Sequence, residues 1–398
     1  MSYSRVRVGD ICAVNKSSYS QKEKWKYVNY LDTGNITNNR IDEIQYIDLI
    51  TEKLPSRAKR KVKHNSIIIS TVRPNQLHYG IIKSQPENFL VSTGFAVVDV
   101  MDDTLDADYL YYVLTQKEIV AHLHAIAEQS TSAYPAIKPS DIQDLEILIP
   151  DLKTQKKIAS LLISIDSRIS INTKINENLE QQAQAIFKSW FVDFEPFGGA
   201  MPDDWKILSL GELCDSISKK HTFNKDELIF LNTGDVENGM ILHNNYSEVS
   251  QMPGQAKKSI AINDILYSEI RPINKHFAYV NFVADDYVVS TKLMVLRAKG
   301  ISPRRLYQFL TMPDTLIELQ IEAESRSGTF PQIRFDNIQQ LEMIVASEQV
   351  EKEYSERLNA IYSMIDSNNE ENNRLSALRD TLLPKLMNGE IDVSAVKI

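Results

Sequence analysis

Two stretches of the chain place apolar residues at alternating steps of four and three. The first runs Ile158, Leu162, Ile165, Ile169, Asn172, Asn176, Leu179, Ala183, Ile186 and Trp190. The second runs Tyr354, Leu358, Ile361, Ile365, Asn368, Asn372, Leu375, Arg379, Leu382 and Leu386. This spacing is the heptad seam of a long α-helix. No proline interrupts the first run, and the second meets one only at Pro384, near its end. Each run predicts a helix of roughly 33 residues, about 50 Å long. Both seams carry two asparagines in the middle and apolar residues toward both ends. Antiparallel pairing about the midpoints sets Asn172 against Asn372, Asn176 against Asn368, Ile158 against Leu386 and Ile169 against Leu375. One pair is awkward: Ile165 faces Arg379, whose stem can lie along the seam with its charge in solvent. A buried asparagine layer lowers stability but penalises slipped registers, so these four residues are the expected register markers. The bland alternative is a solvent-exposed waist.

Ahead of each seam the pattern changes to short apolar runs of strand type. Ile67-Ile68-Ile69 and Ile265-Leu266-Tyr267 are each followed by Arg-Pro, and Val-rich segments lie at 89–100 and 287–297. A helix is expected around 106–128 and again around 302–324, then a loop. A short helix near Ser140 or Asp336 and a strand at 145–149 or 341–345 follow. Pro196-Phe-Gly-Gly-Ala-Met-Pro202 reads as a linker.

The two halves repeat one another at an offset of roughly two hundred residues. Tyr30-Leu-Asp-Thr-Gly-Asn-Ile36 returns as Phe230-Leu-Asn-Thr-Gly-Asp-Val236. Val72-Arg-Pro74 returns as Ile270-Arg-Pro272, Val91-Ser-Thr93 as Val289-Ser-Thr291, and Tyr134-Pro-Ala-Ile137 as Phe330-Pro-Gln-Ile333. The two cysteines also correspond, in Gly9-x-x-Cys12 and Gly211-x-x-Cys214, and read as buried core residues rather than a disulfide framework. A tandem duplication can present two similar surfaces about a pseudo-twofold axis, an arrangement that suits duplex DNA. The expected class is α+β. It comprises two mixed α/β domains at 1–150 and 196–345, with spacer helices at 151–195 and 346–398.

Composition adds less. At 398 residues, 43% hydrophobic and 24% charged, the chain is an ordinary globular one with room for two or three cores. No apolar run approaches a membrane span, and MSYSRVRVGD has no apolar signal core, so a cytoplasmic location is expected. The net charge of −9 weighs mildly against nucleic acid, but binding depends on distribution rather than sum. One basic cluster, Arg57-Ala-Lys59-Arg60-Lys61-Val-Lys63-His64, and the pairs Lys219-Lys220 and Lys257-Lys258 are phosphate-contact candidates or else solvated turns, and Arg304-Arg305 is a further basic pair open to the same bland reading. No phosphate-binding glycine loop, Cys-x-x-Cys or His-Glu-x-x-His pattern occurs, so no metal or catalytic constellation is expected. The chain reads as a binding protein.

Several motifs are more specific. They are Leu152-Lys-Thr-Gln155-Lys-Lys-Ile158-Ala-x-Leu161-Leu-x-x-x-Asp166-x-x-Ile169-x-x-Asn172 and Phe187-Lys-Ser-Trp190-Phe191-Val-Asp-Phe194. Pro202-x-x-Trp205-x-x-x-x-Leu210-Gly211-Glu follows, and a second helix ends in Leu382-Leu-Pro384-Lys-Leu-Met-Asn-Gly389-Glu-Ile. In this order they resemble the DNA-specificity subunit of type I restriction–modification enzymes over nearly the whole chain. One departure is the start, which lacks the Pro-x-x-Trp lead-in present at 202–205.

The resemblance implies target-recognition domains that each read half of a split DNA site, with helices that set the unread gap. It implies two adenine-methyltransferase subunits docked on the helical regions, and two motor/nuclease subunits where cleavage accompanies modification. S-adenosylmethionine, ATP and Mg²⁺ are then expected on those partners and no cofactor on this chain, which is not itself an enzyme. Base-reading candidates are Arg73, Arg271 and Lys292, with Tyr134, Arg326, Ser327 and Phe330 on the matching loops. For Arg73 and Arg271 the alternative is an Arg-Pro turn pinned by a carboxylate; for Tyr134 and Phe330 it is core packing. Phe187, Trp190, Phe191 and Phe194, with Ile171 and Ile175, are expected on a helix face left for a partner subunit. A standalone DNA-binding or architectural protein, and less readily a cryptic nuclease, are the competing readings.

Overall fold

The computed structural model describes residues 3–129, 135–326, 330–394 and 396. The chain forms two compact units, Met1–Ser170 with Glu371–Ile398, and Ile171–Glu370.

In the first unit, Ile67–Ser70 is buried at every position because it packs on two faces. It lies in an antiparallel sheet of order Cys12–Val14, Phe95–Val100, Ile67–Ser70, Tyr79–Ile81. Side chains alternate across a strand. Ile67 and Ile69 therefore join Tyr109, Leu110 and Leu123 of two helices, while Ile68 joins Leu31, Phe89 and Val91 of a second sheet. That second sheet runs Gln45–Asp48, Tyr27–Leu31, Phe89–Ser92, Ala58–Lys61, with a parallel pair in the middle. An uninterrupted Ile-Ile-Ile run is the sequence mark of such a doubly covered strand.

The second unit repeats this arrangement strand for strand. One sheet is ordered Cys214–Ser216, Leu293–Ala298, Ile265–Ser268, Phe277–Tyr279, the other Tyr246–Glu248, Glu227–Leu231, Tyr287–Ser290, Ala256–Ser259. Ile265 and Tyr267 face helices and Leu266 faces the second sheet. Cys12 is 1% exposed and Cys214 is fully buried, and both are free thiols at the start of equivalent strands. A two-stranded ladder, Ser4–Arg7 with Glu146–Ile149, recurs as Lys206–Ser209 with Glu342–Val345.

The single helices expected around 106–128 and 302–324 are each two helices. They are Ala107–Leu114 with Lys117–Glu128, and Pro303–Thr311 with Pro313–Arg326. In the first half the Thr115 hydroxyl donates to the Tyr111 carbonyl at 2.9 Å and closes the first helix. In the second, Pro313 has no N–H to continue the ladder and starts a new helix instead.

The long helices are Leu152–Phe191 and Glu348–Met387, each of 40 residues. They are about 60 Å long, longer than their seams alone require, because their ends are built into the domain cores. Gln155, 1% exposed, accepts from the Asp106 N–H and donates to the carbonyls of Thr104 and Pro150. The second helix continues through Pro384.

Within each unit the two helices run antiparallel. In the first, Ile158 and Leu162 share a cluster with Leu386 and Met387, and Arg168 bonds Glu371. In the second, Asn368 bonds Asn176, and Trp190 lies 5.4 Å from Tyr354. Arg379 does not leave its charge in solvent. Its guanidinium reaches Asp166 and Asp380, each at 2.9 Å. Burial disfavours that charge, but the two carboxylates outweigh it and raise the guanidinium above its ordinary value. Among the described residues no helix is long and apolar enough to cross a membrane.

Candidate nucleic-acid interface and spacer

In both domains the strand buried on two faces ends in an unusual turn. The Ser70 hydroxyl accepts from the Val72 N–H and donates to the Val72 carbonyl; Ser268 does the same at Ile270. The next residue is forced into the left-handed region, Arg73 at φ 47° and Arg271 at φ 42°. A residue with a Cβ adopts that conformation at a cost of about 1–2 kcal/mol. It is held there by backbone bonds on both sides: Arg73 N–H donates to the Pro135 carbonyl at 3.0 Å and the Arg73 carbonyl accepts from Gln76 N–H at 2.9 Å, as Arg271 N–H donates to Pro331 at 3.1 Å and its carbonyl accepts from Asn274 at 2.9 Å. Proline then opens a 3-10 turn that ends in a second left-handed residue, Leu77 or Lys275. His78 Nδ1 lies 2.7 Å from the Ile36 carbonyl, and His276 Nδ1 lies 2.8 Å from Val236. A carbonyl only accepts, so Nδ1 is the donor in each contact. Both arginines are exposed. The same strain in two copies, each presenting an exposed cation, is the pattern expected where backbone geometry serves recognition.

Neighbouring loops join this turn through the backbone. Thr71 N–H donates to the Gly94 carbonyl at 2.8 Å, and Thr93 N–H to the Arg57 carbonyl at 2.8 Å. In the second domain Glu269 N–H donates to Lys292 at 3.0 Å, and Thr291 N–H to Gln255 at 2.9 Å. The Lys292 ammonium lies 3.4 Å from the Glu269 carboxylate. Arg57 and Arg73 thus share one end of their domain, as Lys292 and Arg271 do in theirs.

The remaining basic residues divide by environment. Arg57, Lys59, Lys219, Lys220 and Lys257 are exposed. Lys61 is paired with Glu23 and its ammonium lies 5.1 Å from the centre of the Trp25 ring. Arg60 is half-buried, and burial lowers its pKa. Lys258 is not the surface phosphate contact expected from the sequence. Its ammonium donates to the carbonyls of Thr291 at 3.0 Å and Leu293 at 2.8 Å, and burial pushes its pKa down. It is an internal strut, because the strand that carries it puts alternate side chains on opposite faces. Phe330 is 68% exposed rather than packed in the core. Tyr134, Ser327 and the Arg326 side chain lie outside the described residues. Among the described residues no group of three or more His, Cys, Asp or Glu side chains could hold a metal ion.

Two of the four helix-end aromatics, Phe187 and Phe191, are not the open face expected for a partner subunit. Phe187 is 8% exposed and Phe191 3%, both within the second unit's core, and Trp190 and Phe194 pack against that core. Phe191 meets Tyr354 edge to face at 4.8 Å and lies tilted against Trp205 at 5.5 Å, and the buried Arg305 guanidinium lies 3.8 Å from its ring. A helix leaving a domain needs an anchor, and these rings supply it internally. The large apolar side chains exposed on this helix are Ile163 at 36%, Ile171 at 51% and Ile175 at 38%, the last two as expected. Asn172 is 1% exposed, and Asn176, Asn368 and Asn372 are half-buried, which is not a solvent-exposed waist.

Sequence reading missed His78 and His276, and took Arg305 only as half of a basic pair. The two histidines had a signal, the spacing Arg-Pro-x-x-x-His repeated in both halves. Arg305 had none, since an Arg-Arg pair on a helix reads as solvated.

Comparison with known proteins agrees with this duplicated geometry. The family model described as type I restriction modification DNA specificity domain matches residues 2–181 and again 202–377. The type I restriction enzyme HindI specificity subunit of Haemophilus influenzae is 24% identical, over 91% of this chain and 94% of that protein. The MjaIX specificity subunit of Methanocaldococcus jannaschii is 24% identical, over 97% and 92%. The crystal structure of the type I restriction–modification system S subunit from M. genitalium aligns with a TM-score of 0.55 at 18% identity, covering 97% of this chain and 96% of that one, and shares its fold. With two matched domains that together span most of its length, the chain belongs to the type I restriction modification DNA specificity family, as a specificity subunit.

Proposed function

We propose that each domain reads one half of a bipartite DNA sequence with the loop end that carries Arg73 or Arg271, while the paired long helices fix the number of unread base pairs between. The observation that carries this reading is the strained, exposed arginine, repeated on the same turn in two domains of identical strand order. Arginine is the commonest bidentate partner of guanine in the major groove, and the lysines around it supply phosphate contacts that give affinity without sequence. An antiparallel helix pair of about 60 Å is long enough to hold two readers one duplex turn apart, roughly 34 Å.

The chain acts without catalysis of its own. It positions two adenine-methyltransferase subunits, which bind S-adenosylmethionine, and two motor/nuclease subunits, which use ATP and Mg²⁺, where cleavage accompanies modification. The target base is flipped into the methyltransferase. The test is to express the chain with its methyltransferase subunit and map methylated adenines after Arg73→Ala or Arg271→Ala. Each substitution relaxes one half-site and leaves the other intact. Unchanged half-sites in both variants would refute the reading.

A further inference from the structure

The two domains hold their loop ends with the same backbone bonds, so a difference between half-sites must come from side chains that differ on that shared frame. Two such positions face each other. Thr71 and Glu269 are equivalent: each donates its N–H across to the neighbouring loop and accepts at its carbonyl, from Ile137 or Ile333, at 2.8 Å. Gly94 and Lys292 are the residues they donate to, and each in turn donates its N–H to a serine hydroxyl, Ser92 or Ser290. In the first domain the pair is neutral. The Thr71 hydroxyl is satisfied by the Gly94 carbonyl at 2.9 Å, and a Cβ at Gly94 would come within 2.9 Å of the Thr33 methyl. In the second domain the same positions hold an ammonium and a carboxylate 3.4 Å apart, with the lysine side chain 45% exposed.

The Glu269 side chain is only 20% exposed, yet the turn itself does not require the pair, since the first domain makes the same backbone bonds with threonine and glycine in its place. Its chemistry suits a base pair. The ammonium only donates and the carboxylate only accepts. A G·C pair offers the acceptors N7 and O6 on guanine beside the N4 donor on cytosine. We propose that Lys292 and Glu269 are specificity-determining residues that select a G·C pair in the second half-site, at a position the first domain leaves unread by charge. This rests on the reading in which each domain reads one half.

The test uses the chain in complex with its methyltransferase subunit and maps methylated adenines. The variants are Glu269→Thr with Lys292→Gly, which installs the first domain's residues, and Lys292→Gln, which keeps most of the stem. The expected result is that one position of the second half-site becomes tolerant, discrimination there falling by roughly tenfold or more. The first half-site and the gap stay as they were. A second half-site without a G·C pair, or one unaltered in both variants, overturns the proposal. If the double variant fails to fold, Lys292→Gln alone decides. A companion chimera with residues 1–150 taken from a relative separates the two failures. Altered specificity in both halves sinks the half-site reading itself, whereas a first-half change alone, beside inert pair variants, sinks only the role of Lys292 and Glu269.

Discussion

Asn368 donates its side-chain amide to the side-chain oxygen of Asn176 at 2.8 Å, and Asn176 donates in turn to Asn369 at 2.8 Å. Each helix seam is interrupted by polar residues near its middle, and those interruptions meet. Asn176→Leu alone strands the Asn368 amide and lowers stability by about 1 kcal/mol, read by urea denaturation. Asn176→Leu with Asn368→Leu recovers the part of that loss owed to Asn368, while Asn369 still lacks its donor, and the seam no longer penalises slipped pairing. Methylation mapping of the double variant then shows a mixture of gap lengths. A single unchanged gap would remove the register role.

Lys257 and Lys258 are adjacent in sequence and opposite in environment. Lys257→Ala leaves Tm unchanged and reduces the dependence of log Kd on log salt by roughly one phosphate contact, about 0.9. Lys258→Ala leaves two carbonyls without their donor and lowers stability by about 1–3 kcal/mol, with no change in the salt slope. Equal salt slopes for both variants would contradict the assignment.

The aromatic anchor of the first long helix predicts a large effect far from DNA. Phe191→Ala removes a ring that is 3% exposed, and costs about 3–5 kcal/mol. The loss appears as a lower Tm for the second unit in calorimetry. A surface role would leave Tm where it was and weaken only subunit assembly.

Glu180 supplies a pH test. Burial raises its carboxyl above the ordinary range, although the Tyr362 hydroxyl donates to it at 3.4 Å and Arg304 favours its charge. A carboxyl raised in the folded state binds its proton more tightly there than when unfolded. Its contribution therefore favours the fold at low pH and is lost as pH rises through the raised value. Glu180→Gln removes the charge and keeps the shape, so it raises Tm at pH 8, and the gain closes as pH falls toward 4. A gain that does not vary with pH would point to packing instead.

The duplication, the α+β class and the antiparallel seam were legible because they are periodic. Apolar spacing fixes which face is buried, and Ile67-Ile68-Ile69 announced its doubly covered strand in three residues. Individual contacts were not legible, because they depend on which way a strand turns its side chains. Lys257 and Lys258 look alike in a sequence, and only the pleat sends one outward and the other against two carbonyls. Phe187 and Phe191 failed for a related reason. An apolar face on a helix says that something covers it, but not whether the cover is a partner or, as here, Trp205 and Tyr354 of the same chain.

One of the two units, Ile171–Glu370, is continuous in sequence, whereas the other is assembled from Met1–Ser170 and Glu371–Ile398. Leu386, Met387 and Val393 are all fully or almost fully buried in the core of that divided unit, beside Ile158 and Leu162. On the ribosome the order of manufacture and the order of completion are therefore reversed. The half translated first waits, with part of its apolar interior uncovered, until some two hundred further residues have been made, and a nascent-chain chaperone has most to protect at the amino-terminal end.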